Sequence, residues 1–351
     1  MQGGFDLTIA LAHWLAWISL CLLGLMIAGL LILRWGRWRS EPKLAAFQAT
    51  WWPRLFACAL GDEVLIESIA GWQRWPFMKM WLHTQMSLRG PSRDRLAQFG
   101  REMGCIPLAF RHARSSHASE QMVGMLALGF LGERSAVNLL LMRLTNKDAQ
   151  QCIYAARALL EIDPPTYRNL VTHSLTSNPN LDLSLASVML KPFRAELAEA
   201  MLLNPVQPGE TKALCWLRLA SAFRLQIPQT VLATFFQYDE NRESLTAAIR
   251  LVQGDDGAAL VASKVSHPDW EVRVQVARRL GVIGRKDDHA ALTQLLTDAQ
   301  WWVRYRAAQA LLSQPGMIPR QLIDIAQSTT DRYALSMVQA VIAEMTQRND
   351  R

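Results

Sequence analysis

Two short motifs recur in this chain at one fixed offset, and that recurrence restricts its possible folds more than any other feature. Leu128-Gly-Phe-Leu-Gly132 is echoed by Leu280-Gly-Val-Ile-Gly284, and Ala155-Ala-Arg-Ala-Leu-Leu160 by Ala307-Ala-Gln-Ala-Leu-Leu312; the offset is 152 residues in both cases. A shorter period lies inside this block. Leu128, Leu159 and Leu190 are 31 apart, as are Leu280, Leu311 and Ile342, with Leu219 and Leu251 between them at less regular spacing. Periods of roughly 20 to 50 residues mark stacked-repeat architectures, and this one gives about eight units.

Each unit reads as a helix pair. In the clearest one, Val272, Val276 and Leu280 recur every four residues and so share one helix face. Gly281 and Gly284 are expected to end that helix, because glycine tolerates the left-handed cap. Asp287 and Asp288 are expected to cap the next helix, whose apolar residues are Leu292, Leu295 and Leu296. The following unit repeats the pattern with Val303, Ala307 and Leu311, and small residues such as Ala277 and Ala308 let neighbouring helices approach closely. One such pair cannot bury its own apolar face, whereas stacked neighbours can. The array is expected over 116–346, with a polar tail at 347–351.

The segments Asp269-Trp-Glu-Val-Arg-Val-Gln-Val-Ala-Arg-Arg-Leu-Gly281 and Ala299-Gln-Trp-Trp-Val-Arg-Tyr-Arg-Ala-Ala-Gln-Ala-Leu311 resemble HEAT repeats of the short bacterial kind. The Val-Arg pair and the later Ala and Leu mark the first helix in that family. Arg273 and Arg304 occupy the Arg position, and the resemblance implies a structural role for them, pairing within or between repeats. It is strong over 264–312, fair over 118–162 and faint over 165–260, where the Val-Arg pair is absent. It does not extend to 1–115.

Residues 7–33 contain no Asp, Glu, Lys or Arg. At about 1.5 Å rise per residue, such a helix is long enough to cross a hydrocarbon core of about 30 Å. Trp14 and Trp17 near one end, and Trp35 and Trp38 past the other, suit the two headgroup layers. Arg34, Arg37 and Arg39 follow the stretch, whereas residues 1–6 carry only Asp6, so the positive-inside bias puts the N-terminus outside and the rest in the cytoplasm. A cleaved signal peptide is disfavoured, because Met1 to Asp6 has no basic residue. The expected fold class is therefore all-α: a single N-terminal transmembrane helix followed by an α-solenoid of HEAT-like helix pairs, single-pass in the bacterial inner (cytoplasmic) membrane.

The formal charge of +7 is uneven. Residues 34–115 hold 13 Lys/Arg against 6 Asp/Glu, while 116–351 hold 24 against 23. A nucleic-acid binder would spread its basic residues along a groove, so nucleic acid is not an expected partner. The basic region is also rich in tryptophan, as in Trp72-Gln-Arg-Trp-Pro-Phe-Met-Lys-Met-Trp81. Trp72, Arg74, Trp75, Lys79 and Trp81 are candidates for docking on membrane lipid of an anionic inner leaflet or on a membrane partner. The alternative is that these tryptophans form the core of an N-terminal cap over 34–115, broken into short helices by Pro53, Pro76, Pro91 and Pro107.

The sequence contains no phosphate-binding glycine loop, no G-x-S-x-G and no H-E-x-x-H. The five cysteines are odd in number and widely spaced, which fits reduced thiols better than a disulfide or zinc framework. His112 and His117 do not share a helix face well, and Asp255-Asp256 and Asp287-Asp288 read as caps at turns. No catalytic residue, metal or cofactor is expected. Arg273, Arg278, Arg279, Arg285, Lys286, Arg304 and Arg306 are interleaved with Asp269, Glu271, Asp287, Asp288 and Asp298, so they read first as a solvated face with ion pairs. Phosphate or an acidic protein partner is the alternative. The expected function is a non-enzymatic scaffold, tethered at the inner membrane and binding a membrane-embedded protein partner. The resemblance adds that proteins of this design accompany envelope polysaccharide machinery, often beside a membrane glycosyltransferase. Two other readings stay open: a HEAT-like lyase or accessory enzyme, and a nucleic-acid-binding regulator.

Overall fold

The computed structural model describes residues 3–65, 69, 71–146, 148–238, 241–329 and 331–349, all helix or connecting loop. The chain divides into two compact units, Met1–Arg114 and Ser115–Arg351.

The first unit begins with α1 (Gly3–Leu60), which includes Pro42 and Pro53, followed by α2 (Arg74–Ser87), α3 (Pro91–Glu102) and α4 (Cys105–Ala113). Pro53 therefore does not break its helix, contrary to expectation. Pro76, Pro91 and Pro107 all sit in the first turn of theirs, where the missing N–H has no intrahelical partner to lose. The last turns of α1 bury Phe47, Trp51, Leu55, Cys58 and Ala59, and α1 packs on α2 and α3. Gly61, at φ +106°, ends α1, and Arg95 of α3 donates to the carbonyl of Ala59 at 2.9 Å, satisfying one of the helix's last acceptors.

The expected transmembrane helix over 7–33 is overturned, and with it the single-pass inner-membrane placement with the array in the cytoplasm. Among the described residues no helix is long and apolar enough to cross a membrane. A span needs roughly 20 consecutive apolar residues. The residues expected at the membrane interface are Trp14, Trp17, Arg34, Trp35, Arg37, Trp38 and Arg39. Trp14 and Trp17 are exposed, and the side chains of Arg34, Trp35, Arg37, Trp38 and Arg39 lie outside the described residues.

The second unit is a succession of helix pairs: α5 (Ala118–Phe130) with α6 (Val137–Leu144), α7 (Ala149–Ile162) with α8 (Pro164–Ser177), α9 (Leu183–Met189) with α10 (Arg194–Leu203), and α11 (Ala213–Ala222) with α12 (Gln229–Tyr238). It continues with α13 (Arg242–Leu251) and α14 (Ala258–Ala262), α15 (Trp270–Ile283) and α16 (His289–Leu296), α17 (Trp301–Leu312) and α18 (Pro319–Ser328), and then α19 (Arg332–Asn349). The first helices start at 118, 149, 183, 213, 242, 270, 301 and 332, so neighbouring starts are 28 to 34 residues apart. Each first helix packs on the next: α5 on α7, α7 on α9, and so on to α17 on α19. The contacts are therefore those of a helical solenoid.

The periodic residues form the core. Val272, Val276 and Leu280 of α15, Val303, Ala307 and Leu311 of α17, and Leu292 and Leu296 of α16 are all fully buried. Asp148, Asp182, Asn241 and Asp269 cap α7, α9, α13 and α15, each accepting from a backbone N–H of the first turn. Gly281 does not end α15: it lies inside the helix, and only Gly284, at φ +78°, forms the left-handed cap. The expected cap at Asp288 is also absent. A 3-10 turn at Lys286–Asp288 precedes α16, and Asp288 makes no side-chain cap hydrogen bond there.

Candidate interaction surface

The family-position arginines sit at the junctions between successive helix pairs. Arg273 donates through Nη1 to the carbonyls of His267 (2.7 Å) and Pro268 (2.9 Å), six and five residues back. Arg304 repeats this one unit later, donating to Asp298 (2.6 Å) and Ala299 (3.0 Å). Each arginine thus closes the loop leading into its own helix. Arg273 also reaches forward with a two-point grip on the Asp298 carboxylate, at 2.6 Å from Nε and 3.0 Å from Nη2. That hydrogen-bonded carboxylate raises the Arg273 pKa above its ordinary range. Arg304 reaches forward to an aromatic face instead, its guanidinium lying 5.4 Å from the ring centre of Tyr333.

The remaining basic residues of this stretch fall into two groups. Arg285 donates to Asp287 (2.9 Å) and to the Asp255 carbonyl (2.6 Å), and Arg306 donates to Gln309 (2.7 Å). Arg242 of α13 pairs with Glu271 (3.3 Å) and Asp269 (3.6 Å). Arg278 and Arg279 differ from these. With Arg250, Gln275 and Val282 they line a cleft of about 380 Å³ between α13 and α15, and among the described residues no carboxylate lines it.

Aromatic side chains gather at the opening turns of the same first helices. Trp301 and Trp302 are 48% and 53% exposed, too open to be core. Trp301 stacks on Tyr305 with ring centres 5.1 Å apart and planes 10° from parallel, while Trp302 meets both edge-on. Arg306 lies 5.6 Å from the Tyr305 ring centre. Trp270, which stands where Trp301 does one unit earlier, and Tyr333, which stands where Trp302 does one unit later, are exposed as well. The exposed aromatics therefore recur with the repeat. The tryptophans are visible in the sequence at the head of each Val-Arg motif, yet nothing there distinguishes an exposed ring from a buried one.

In the first unit the candidate docking residues separate. Trp81 is fully buried, and its Nε1 donates to the Leu96 carbonyl at 2.8 Å. A Cβ on Gly100 would stand 2.7 Å from its ring. Trp75 is half-buried, with the His112 ring 4.2 Å away and Lys79 Nζ 5.5 Å from its ring centre. Trp72, Arg74 and Lys79 are exposed. Trp81 therefore belongs to the core of this unit, and the motif does not present one continuous surface.

Sequence reasoning missed Arg157 as a structural anchor. It is buried, pairs with Glu161, donates to the Met189 carbonyl at 2.6 Å, and has the rings of Phe130 and Phe193 5.6 and 4.9 Å away. The only signal was a lone arginine in Ala155-Ala-Arg-Ala-Leu-Leu160, where the matching motif has Gln309. His117 lies beside Ser115, and among the described residues no group of three or more His, Cys, Asp or Glu could hold a metal ion.

Residues 237–342 match the family of HEAT repeats. No curated protein matches the chain. Among solved structures, the crystal structure of an engineered protein is similar at 14% identity and a TM-score of 0.36, covering 77% of this chain and 85% of that one.

Proposed function

We propose, for a chain whose residues 237–342 match HEAT repeats, that it is a non-catalytic scaffold binding a protein partner at the opening turns of α15, α17 and α19. The observation that carries this reading is the exposed cluster of Trp301, Trp302 and Tyr305, with Trp270 and Tyr333 at repeat-related positions. Tryptophan, tyrosine and arginine dominate the binding energy of protein interfaces, since each brings large contact area with little conformational entropy to lose. A solenoid supplies the extended surface on which such side chains can be spaced.

The test is chemical crosslinking of the full chain in its own cells, comparing wild type with the double variant Trp301→Ser, Trp302→Ser and with Tyr238→Ser, which alters an exposed aromatic elsewhere. The expected result is a protein crosslinked to wild type and Tyr238→Ser but lost from the double variant. Capture unchanged in the double variant, or no capture by wild type, overturns the reading.

A further inference from the structure

The cleft between α13 and α15 concentrates positive charge, and among the described residues no carboxylate lines it. Arg250 and Arg278 are exposed at its rim, and Arg279 is half-buried. Arg250 is oriented by Gln275, whose Oε1 accepts from its Nε at 3.2 Å. The Nε of Arg279 is buried and has no hydrogen-bond partner among the described residues. Neighbouring arginines of the same layer are neutralised: Arg218 by Glu243, Arg242 by Glu271, Arg273 by Asp298. Burial alone lowers the Arg279 pKa, whereas hydrogen bonding to Asp298 raises that of Arg273.

Three like charges around one cleft repel one another, and partial burial makes the charge on Arg279 costlier still. Both costs fall when an anion sits in the cleft and accepts from the guanidinium groups that line it. We infer that the Arg250–Arg278–Arg279 cleft is a binding site for a phosphoryl dianion, either free phosphate or a phosphate monoester on a protein. A phosphoryl group offers at least three strong acceptor oxygens and close to two negative charges at neutral pH, which matches three guanidiniums better than a single carboxylate does. The cleft volume of about 380 Å³ leaves room for such a group together with ordered water, at about 30 Å³ per molecule. This inference does not rest on the scaffold reading, because the ligand here is defined by charge rather than by the aromatic cluster.

The test is calorimetric titration of the full chain with inorganic phosphate, a phosphoserine hexapeptide and the same peptide carrying glutamate instead. Saturable binding of the phosphoryl probes is expected, weakened at least tenfold by Arg278→Glu and by Arg250→Glu, both at exposed positions that leave the core intact. Arg242→Ala, at an arginine already paired, should leave affinity within about twofold. Binding should also weaken below about pH 6, where the monoester takes up its second proton. A phosphopeptide at least tenfold tighter than inorganic phosphate assigns the site to phosphorylated protein, and equal affinities assign it to free phosphate. No saturable phosphoryl binding, binding insensitive to both arginine variants, or a glutamate peptide that binds as tightly as the phosphopeptide overturns the inference.

Discussion

Gly281 of α15 lies so close to Ala310 of α17 that a Cβ on the glycine would stand 2.7 Å from the alanine Cβ and 2.9 Å from its Cα. Gly129 of α5 meets Ala158 of α7 in the same way, at 2.6 Å from the Cα. These are the second glycine-motif residue and the alanine of the two motifs that recur 152 residues apart. Gly281→Ala is therefore expected to destabilise the chain by about 1–3 kcal/mol, because overpacking at a backbone contact outweighs the gain of about 1 kcal/mol in helix propensity. Gly284→Ala meets only ordinary contact with Pro315 and should cost about 1 kcal/mol through its positive φ. Urea unfolding midpoints of the two variants check the order.

The grip of Arg273 on Asp298 joins one helix pair to the next through two largely buried side chains. Arg273→Ala should cost about 2–3 kcal/mol, since it leaves a carboxylate and two loop carbonyls short of donors. Arg273→Lys should recover less than half of that, because an ammonium cannot span both carboxylate oxygens and the loop. A double-mutant cycle with Asp298→Asn measures the coupling.

Asp288 is buried, its Oδ2 has no hydrogen-bond partner among the described residues, and burial raises its pKa. The unfolded carboxyl titrates near about 3.9. Deprotonation is thus harder in the folded chain, and its contribution to stability declines as pH rises from that value through the folded pKa. Asp288→Asn should raise stability by about 1 kcal/mol at pH 7 and by little at pH 4. Urea midpoints at the two pH values decide it, and an equal gain at both excludes the carboxylate charge as the cause.

Burial also governs the thiols. Cys105 is pushed up to about 12 and Cys152 to about 11, far from the range in which a thiolate forms at neutral pH. Both should resist iodoacetamide at pH 7.5 in the folded chain and react after denaturation. Peptide mass spectrometry before and after adding guanidinium reads this directly.

The legible parts of the fold were those set by local rules. The spacing of Val272, Val276 and Leu280 marked a buried helix face, and the Val-Arg motif marked the junction that Arg273 closes. Other features depended on partners distant in sequence. Gly281 and Gly284 look alike in the motif, yet one answers to Ala310 and the other to its own φ. Trp72 and Trp81 share one short segment, but only Trp81 meets Leu96 and Gly100. Arg273 and Arg279 lie on one helix, and a carboxylate 25 residues onward separates their surroundings. The uncharged run at 7–33, with tryptophans at both ends and arginines at one, predicts a span, yet among the described residues no helix is long and apolar enough to be one.

Because each helix pair packs mainly on the pairs beside it, the second unit should respond to load as a spring made of unequal coils. The α5–α7 and α15–α17 seams, where glycine lies against alanine too closely to admit a Cβ, should be its stiffest coils. The coil at α9, where the first helix shortens to seven residues, should be its most compliant. A load applied to the array should therefore bend it near residues 183–189 and leave the spacing of the exposed aromatics on α15 and α17 unchanged.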